Sequence, residues 1–241
     1  MALYFVTGKG GVGKTRYSVL LSQKMKKAEL AELSQALQSE AEKFKLSLST
    51  IHSFSKETLG ETFLKKSLRI PFLSHWISQS KIFQTLFQLA PNLYELLLLR
   101  QWIQIAENKD LIVDAPSSGH FIALLEAAKA AKEMFDGGSL HKLADEILKY
   151  FQKANTTSVF IVSLPETSAL EESTAIEENL RKNYPKMRIQ KILNRKHIAP
   201  PKELELSKNM QQLAYDRPKL EDERIFSYTF DQILEEGAVT L

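Results

Sequence analysis

Short apolar runs alternate with longer amphipathic stretches along this chain, and the alternation predicts strands that alternate with helices. The first apolar run spans residues 3–6, and two later runs span 111–113 and 159–162. Each run is continuously apolar, as expected of strands that are buried on both faces of a parallel sheet. The pattern therefore predicts an α/β fold with a doubly wound, mainly parallel sheet.

Weaker patterns complete the predicted order of elements. Further strands are expected at 29–33, 46–51, 187–193 and 225–228, and helices at 15–27, 140–150 and 230–236. The strand at 46–51 is predicted from the alternation L-S-L-S-T-I, which places every second side chain on one face. Helix 15–27 directly follows a glycine-rich turn, which is the most informative segment of the chain.

That segment, residues 8–15, reads G-K-G-G-V-G-K-T and has the spacing of a phosphate-binding loop between a strand and a helix. Glycines allow successive backbone N–H groups to turn toward phosphate oxygens, and the helix N-terminus adds the positive end of its dipole. We expect Lys14 to reach the β- and γ-phosphates and the Thr15 hydroxyl to bind Mg²⁺. The predicted ligands are ATP or ADP together with Mg²⁺.

Lys9 follows the first glycine, and with it the loop resembles the deviant phosphate loop of P-loop ATPases of the arsenite-pump and tail-anchored-protein targeting group. In that group this lysine reaches across a dimer interface to the partner's nucleotide. The resemblance implies a dimer in which Lys9 and Lys14 stabilise charge on the phosphates. The chain has one such loop, whereas the bacterial arsenite-pump ATPase has two fused halves, and this again implies a partner subunit.

Residues 114–120, D-A-P-S-S-G-H, resemble switch II of the same group, D-T-A-P-T-G-H. The resemblance implies that Asp114 holds Mg²⁺ through water and that Pro116, Gly119 and His120 belong to switch II, with Gly119 as its hinge. Asn194 ends a predicted strand, and the resemblance implies that it contacts adenine. An asparagine amide has a donor and an acceptor, which suit the adenine edge, although asparagine is also common in turns.

The residues expected in the site fall into three overlapping groups. The nucleotide-binding residues are Gly8, Lys9, Gly10, Gly11, Val12, Gly13, Lys14, Thr15, Arg16 and Asn194. The catalytic residues are Lys9, Lys14 and Asp114, and the metal ligands are Thr15 and Asp114. Pro165, Glu166 and Glu172 follow the predicted strand at 159–162. The resemblance implies a glutamate that opens the next helix near the dimer interface, whereas acidic residues in a first helical turn are also ordinary partners of the helix dipole, and both interpretations stay open.

One part of the family pattern is missing. Switch I of the family opens with an aspartate that positions the attacking water, but this chain has Ser34 and Gln35 there. The nearest acidic residues are Glu32, Glu40 and Glu42. The departure leaves ATP hydrolysis open while leaving the prediction of nucleotide binding intact.

The chain is expected to be a single domain over 1–241, with helical insertions at about 60–106 and 121–155 that form a small subdomain. The first insertion carries large aromatic side chains, such as Phe72 and Trp76. These side chains either fill the core or form a surface for a hydrophobic protein cargo or a membrane-protein partner, and both interpretations stay open.

Composition removes several classes of function. The 241 residues include no cysteine, which excludes disulfides, iron–sulfur clusters, cysteine-bound zinc and arsenite binding through thiolates. The net charge of +3 is too small to indicate a nucleic-acid partner. No apolar stretch reaches the length of a membrane span, so we expect a cytoplasmic protein that is not integral to a membrane.

Three functional hypotheses follow. The first is a dimeric switch ATPase that couples Mg-ATP binding and hydrolysis to cargo or partner binding. The second is a weakly hydrolysing or non-hydrolysing regulatory subunit of a heterodimer with a paralogous ATPase, which the serine in switch I favours. A chromosome-partitioning ATPase would need a basic face for DNA, and the small net charge does not favour that reading.

Overall fold

A computed structural model describes residues 1–43, 45–48, 50–68, 92–194 and 225–227. The strands are β1 (Leu3–Gly8), β2 (Glu29–Glu32), β3 (Ile51–His52), β4 (Leu111–Ser117), β5 (Thr157–Ser163), β6 (Arg188–Leu193) and β7 (Ile225–Ser227). The helices of the described residues are α1 (Lys14–Lys24), α2 (Leu37–Lys43), α3 (Lys56–Leu68), α4 (Leu93–Ala106), α5 (Ser118–Met134), α6 (Gly138–Phe151) and α7 (Thr167–Asn183).

The described strands form one seven-stranded sheet in the order β3-β2-β4-β1-β5-β6-β7, and each neighbouring pair is parallel. In β1, Leu3 is paired with Leu111 of β4 on one side and with Thr157 of β5 on the other. The chain completes the β4 side of β1 before it crosses to the β5 side. The carboxyl end of β1 is therefore a topological switch point, where open parallel sheets bind ligands. The predicted doubly wound parallel sheet is confirmed.

Alternate side chains of the central strands pack into two cores, one on each face of the sheet. Phe5 belongs to the larger core, where its ring lies 6.0 Å from that of Trp102 and 5.2 Å from that of Phe121. Val6, the next residue, belongs to the second core together with Leu37 of α2. Burial on both faces explains why these strands are continuously apolar in sequence, since neither set of side chains faces water.

The predicted strand at 46–51 differs from the structure, in which β3 begins only at Ile51. Leu46 and Leu48 are partly buried against the second core, so the alternation does mark a segment with one buried side. The segment is fixed to α1, because the Gln23 side-chain amide donates a hydrogen bond of 2.8 Å to the Ser47 carbonyl. Alternating hydrophobicity reports a half-buried extended chain, and it does not by itself require pairing with a neighbouring strand.

Helices α3 to α6 overlap the two predicted insertions at about 60–106 and 121–155, although α3 begins at Lys56 and α5 at Ser118. Their buried side chains, including Leu59, Trp102, Phe121 and Phe151, share the larger core with the sheet. Helix α5 follows β4 directly, and α6 precedes β5, so both belong to the crossover connection between these strands. That the helices act as a subdomain stays a prediction.

Two sequence predictions fall outside the described residues: the aromatic side chains of Phe72 and Trp76, and the helix at 230–236. Within the described part of the chain, no helix is both long enough and apolar enough to cross a bilayer.

Candidate phosphate-binding site

The loop between β1 and α1 requires glycine at two positions. Gly8 has a φ of 143°, and a Cβ atom there would lie 2.1 Å from the Val162 carbonyl oxygen of β5. Gly13 has a φ of 95° and caps the N-terminus of α1. A Cβ atom at Gly13 would lie 2.6 Å from the side-chain nitrogen of Asn194. Any other residue would strain the backbone and displace a neighbouring strand end at these positions.

The middle of the loop is open. Gly10 and Gly11 are exposed, and apart from their own chain neighbours no atom lies within 4 Å of the place that a Cβ atom would take at either glycine. Val12 is buried in the second core and anchors the loop. An exposed backbone segment directly before a helix N-terminus is the local structure that phosphate groups bind.

Lys14 is the first residue of α1, and its ammonium group donates a hydrogen bond of 3.1 Å to the Lys9 carbonyl oxygen. The lysine therefore folds back over the loop. Partial burial lowers the pKa of Lys14, while the negative charges of Asp114 and Glu172 oppose that shift. The arrangement holds a positive charge beside the open backbone of the loop, where the outer phosphates of a nucleotide would lie.

Thr15 and Asp114 form the second part of the site. The Thr15 hydroxyl donates a hydrogen bond of 2.8 Å to Oδ2 of Asp114, and the Ser18 hydroxyl lies 3.3 Å from Oδ1. Asp114 is buried, because β4 carries it alongside Val6 of β1. Burial raises the pKa of Asp114, and the Thr15 hydrogen bond, the Lys14 charge and the Ser18 hydroxyl reduce this shift without cancelling it.

These oxygen atoms fit the requirements of Mg²⁺, which prefers hard oxygen ligands. Mg²⁺ in nucleotide sites takes only one or two ligands from the protein and the remainder from phosphates and water. Among the described residues, no group of three or more histidine, aspartate or glutamate side chains could hold a metal ion. The Thr15 hydroxyl and the Asp114 carboxylate supply the one or two protein oxygens that such a nucleotide site uses.

Ser18 was missed by the sequence analysis. It lies one helical turn after Lys14 on α1. Besides its contact with Asp114, its hydroxyl donates a hydrogen bond of 3.1 Å to the Lys14 carbonyl oxygen. Residues four positions apart share a face of a helix, so the spacing of Ser18 from Lys14 was an available signal.

The segment that resembles switch II lies at the end of β4 and in the first turn of α5. The Thr7 hydroxyl donates a hydrogen bond of 2.9 Å to the Pro116 carbonyl oxygen, which ties this strand end to β1. Gly119 and His120 are exposed in the first turn of α5. The structure thus places Asp114 and Pro116 beside the loop, and the hinge role of Gly119 and the switch role of His120 stay predictions.

Helix α7 contributes a face that the sequence analysis did not identify. The Lys9 ammonium donates a hydrogen bond of 3.1 Å to the Ser168 hydroxyl. One helical turn later, Glu172 accepts a hydrogen bond through Oε1 from the hydroxyl of Ser118. Because residues at this spacing share a helix face, α7 presents one polar face to the loop and to the start of α5.

Asn194, which is predicted to contact adenine, lies beside the loop, and its side-chain nitrogen already makes a hydrogen bond within the chain. It donates a hydrogen bond of 2.8 Å to the Val12 carbonyl oxygen, while its backbone N–H donates to the Ser163 carbonyl oxygen at 2.8 Å. The residue thus braces the loop against the ends of β5 and β6. A contact with adenine stays a prediction, as does a nucleotide contact of Arg16 in the first turn of α1.

The acidic residues nearest to Ser34, where the family has its switch I aspartate, already form hydrogen bonds or ion pairs within the chain. Glu32 is buried, and its Oε2 accepts hydrogen bonds from the backbone N–H groups of Ala36 at 2.6 Å and Leu37 at 2.9 Å, which caps α2. Glu40 pairs with Lys43 on the surface of α2. Glu42 accepts a hydrogen bond from Gln38 on the same helix.

Comparisons with known proteins add little to this geometry. No protein-family model and no curated protein matches the chain. A solved structure of a plasmid partition protein from Borrelia burgdorferi is similar to it, with 15% sequence identity and a TM-score of 0.45. That similarity covers 95% of this chain and 88% of the partition protein. The chain's own residues therefore carry the functional interpretation.

Proposed function

We propose that this chain binds Mg-ATP and Mg-ADP at residues 8–15 and acts as a nucleotide-dependent switch. One observation carries the proposal: Lys14 and the hydrogen-bonded pair of Thr15 and Asp114 meet at the N-terminus of α1, beside an open glycine loop. A cationic side chain, a helix N-terminus and a magnesium-type oxygen pair are together what a nucleotide's phosphates require.

Each residue then has a defined task. The open backbone at Gly10 and Gly11 accommodates the phosphates, and Lys14 neutralises their outer charge. Thr15 and Asp114 would hold Mg²⁺, directly or through its water shell, and the ion would supply charge neutralisation and orientation of the phosphates. Asn194 keeps the loop in shape through its hydrogen bond to Val12.

The switch is proposed to operate as a dimer, with itself or with a paralogous ATPase, and to bind a protein cargo or partner through its helices. The support for the dimer is the family resemblance at Lys9. In the structure Lys9 contacts Ser168 of its own chain, so a role across an interface requires Lys9 to exchange that partner. Nucleotide binding at Lys14 would trigger the exchange, because the Lys14 ammonium group is hydrogen-bonded to the Lys9 carbonyl oxygen.

A second candidate, the weakly hydrolysing regulatory subunit, has one specific observation in its favour. Ser34 replaces the switch I aspartate, and the buried Glu32 that precedes it is committed to capping α2. Both candidates require nucleotide binding and differ in turnover. A regulatory subunit would hydrolyse ATP slowly as an isolated chain, well below the median enzyme rate of about 10 per second.

Titration calorimetry of the whole chain with Mg-ATP and with Mg-ADP tests the shared premise. The proposal expects saturable binding at one site per chain, and affinity that weakens when Mg²⁺ is chelated. If the chain binds neither Mg-ATP nor Mg-ADP, both candidates are refuted.

A further inference from the structure

Glu172 has an environment that an ordinary helix-dipole partner does not need. It lies half-buried on the face of α7 that also carries Ser168, the contact of Lys9. Its Oε1 accepts the hydroxyl of Ser118, which is buried at the start of α5. A residue placed only to favour the helix dipole would be satisfied by water and would need no buried partner on another helix.

Glu172 also lies near the two lysines of the loop. It follows Ser168 by one turn of α7, and Ser168 accepts a hydrogen bond from the Lys9 ammonium group. The carbonyl oxygen of the same Lys9 accepts a hydrogen bond from Lys14. Asp114 is engaged by Thr15 and Ser18 on the magnesium side, whereas Oε2 of Glu172 has no hydrogen-bond partner among the described residues.

The acidic residues near the start of switch I have their carboxylates occupied by other contacts. Glu32 caps α2 through two backbone N–H groups, and Glu40 is paired with a lysine on the surface of that helix. Carboxylates act as general bases when they lie within hydrogen-bond reach of the water and near the reacting phosphate. Among the acidic residues discussed, Glu172 alone combines a place beside the lysines of the loop with a carboxylate oxygen that has no hydrogen-bond partner among the described residues.

We infer that Glu172 positions the attacking water, in place of the aspartate that is absent from switch I. The inference rests on the proposed Mg-ATP function. In the step, the water oxygen forms a bond to the γ-phosphorus while the bond from that phosphorus to the bridging oxygen breaks. The electron pair of the broken bond stays on ADP. One water proton moves to Oε2 of Glu172 and is then released to solvent, so that ATP and water give ADP, phosphate and a proton.

Three variants of the full chain test this assignment. Glu172→Gln keeps the shape of the side chain and can still accept the Ser118 hydrogen bond, so the fold should survive. Glu172→Asp keeps the charge but shortens the reach. Glu171→Gln, at the exposed neighbour on the same helix, is the matched control. Each protein is measured for Mg-ATP affinity by calorimetry, for phosphate release under steady state, and for melting temperature.

We expect kcat to fall by about 100-fold or more in Glu172→Gln, as for the loss of a general base, with KM and affinity within twofold of wild type. Glu172→Asp should recover part of the rate, and Glu171→Gln should match wild type. A merely structural role would instead lower the melting temperature and change KM and kcat together.

Several outcomes would overturn the assignment. Wild-type turnover in Glu172→Gln would do so, and so would tighter ATP binding at an unchanged rate, since Glu172 would then act by repelling the γ-phosphate. If wild type binds Mg-ATP but releases no phosphate, the assignment fails while the proposed nucleotide site stands. If wild type binds no nucleotide, the proposed function itself fails.

Discussion

Two buried carboxylates lie beside opposite ends of β2, Glu29 at its first residue and Asp114 of β4 opposite its last residue, Glu32, and their pKa values are shifted in opposite directions. Glu29 opens β2 at the amino end of the sheet, where Lys109 and His52 both contact its carboxylate. Asp114 lies at the carboxyl end, where hydroxyl groups are its hydrogen-bond partners. The Lys109 and His52 hydrogen bonds lower the pKa of Glu29, whereas burial dominates at Asp114 and raises its pKa.

The difference supports a structural role for Glu29 and the proposed functional role for Asp114. The charge of Glu29 is compensated within the chain, so it stabilises the fold. The charge of Asp114 is under-compensated, so it costs stability until a cation approaches. Perturbed carboxylates of this second kind concentrate at functional sites, and the sheet end that carries Asp114 is also the end where parallel sheets bind ligands.

The largest expected effect comes from Asp114→Asn. Removing the magnesium-side carboxylate should lower Mg-dependent phosphate release by about 100-fold, equivalent to roughly 2.7 kcal/mol of transition-state stabilisation. Without nucleotide, the same variant should melt at the same temperature as wild type or higher at pH 7, because a buried charge is lost. Asp136→Asn, on an exposed turn, serves as the control for both measurements. Lower stability together with normal turnover would reverse the interpretation of Asp114.

Glu29→Gln should show the opposite combination, with lower stability and unchanged nucleotide binding. The lowered pKa of Glu29 means that its stabilising effect is present above its ordinary pKa of 4.5 and is lost as pH falls through the lower folded-state value. At pH 7 the variant should lose about 1.5–3 kcal/mol of unfolding free energy, the typical contribution of a hydrogen bond to a charged group. Nucleotide affinity should not change.

Denaturant unfolding across the acid range checks this prediction. The stability gap between wild type and Glu29→Gln should close as the medium is acidified, while Glu133→Gln, an exposed control, should show no gap at any pH. A gap that persists unchanged in acid would mean that side-chain packing, rather than the charge of Glu29, causes the loss.

The end of the sheet that carries Asp114 could be predicted from sequence because its signals are local. An apolar run, a glycine-rich turn and a helix start occur in order over residues 3–24, and Asp114 directly follows another apolar run. The contacts of Glu172 and Glu29 could not be predicted in that way. Ser118 and Glu172 are 54 residues apart, and Lys109 and Glu29 are 80 apart. Such pairs meet only after the strand order is known.

Some local signals were ambiguous for a related reason. Leu46 and Leu48 alternate like a strand, but the pattern reports one buried side and not a pairing partner. Glu32 resembled a replacement for the switch I aspartate by position, yet it caps α2, because that helix begins five residues later at Leu37. In both cases tertiary structure decided between two uses of one local pattern.

The smallest expected effect concerns Lys9. If Lys9 leaves Ser168 to contact a partner's nucleotide, a non-hydrolysable ATP analogue should increase dimer formation in wild type, alone or with a co-expressed paralogue. Lys9→Ala should lose that increase, by a few-fold, while still binding nucleotide through Lys14. Ser168→Ala should strengthen the increase, because it removes the competing contact. Sedimentation of the three proteins with and without the analogue decides, and equal association in all of them would leave Lys9 as a solvated surface charge.

The central claim is that the loop at 8–15 binds a nucleotide through the charge of Lys14. Calorimetric titration of Mg-ATP into wild type, Lys14→Ala and Lys27→Ala tests it most directly, since Lys27 is an exposed lysine just beyond the other end of α1. The prediction is that Lys14→Ala binds at least tenfold more weakly than wild type, about 1.4 kcal/mol, and that Lys27→Ala binds as wild type does. Equal affinities in wild type and Lys14→Ala would contradict the account.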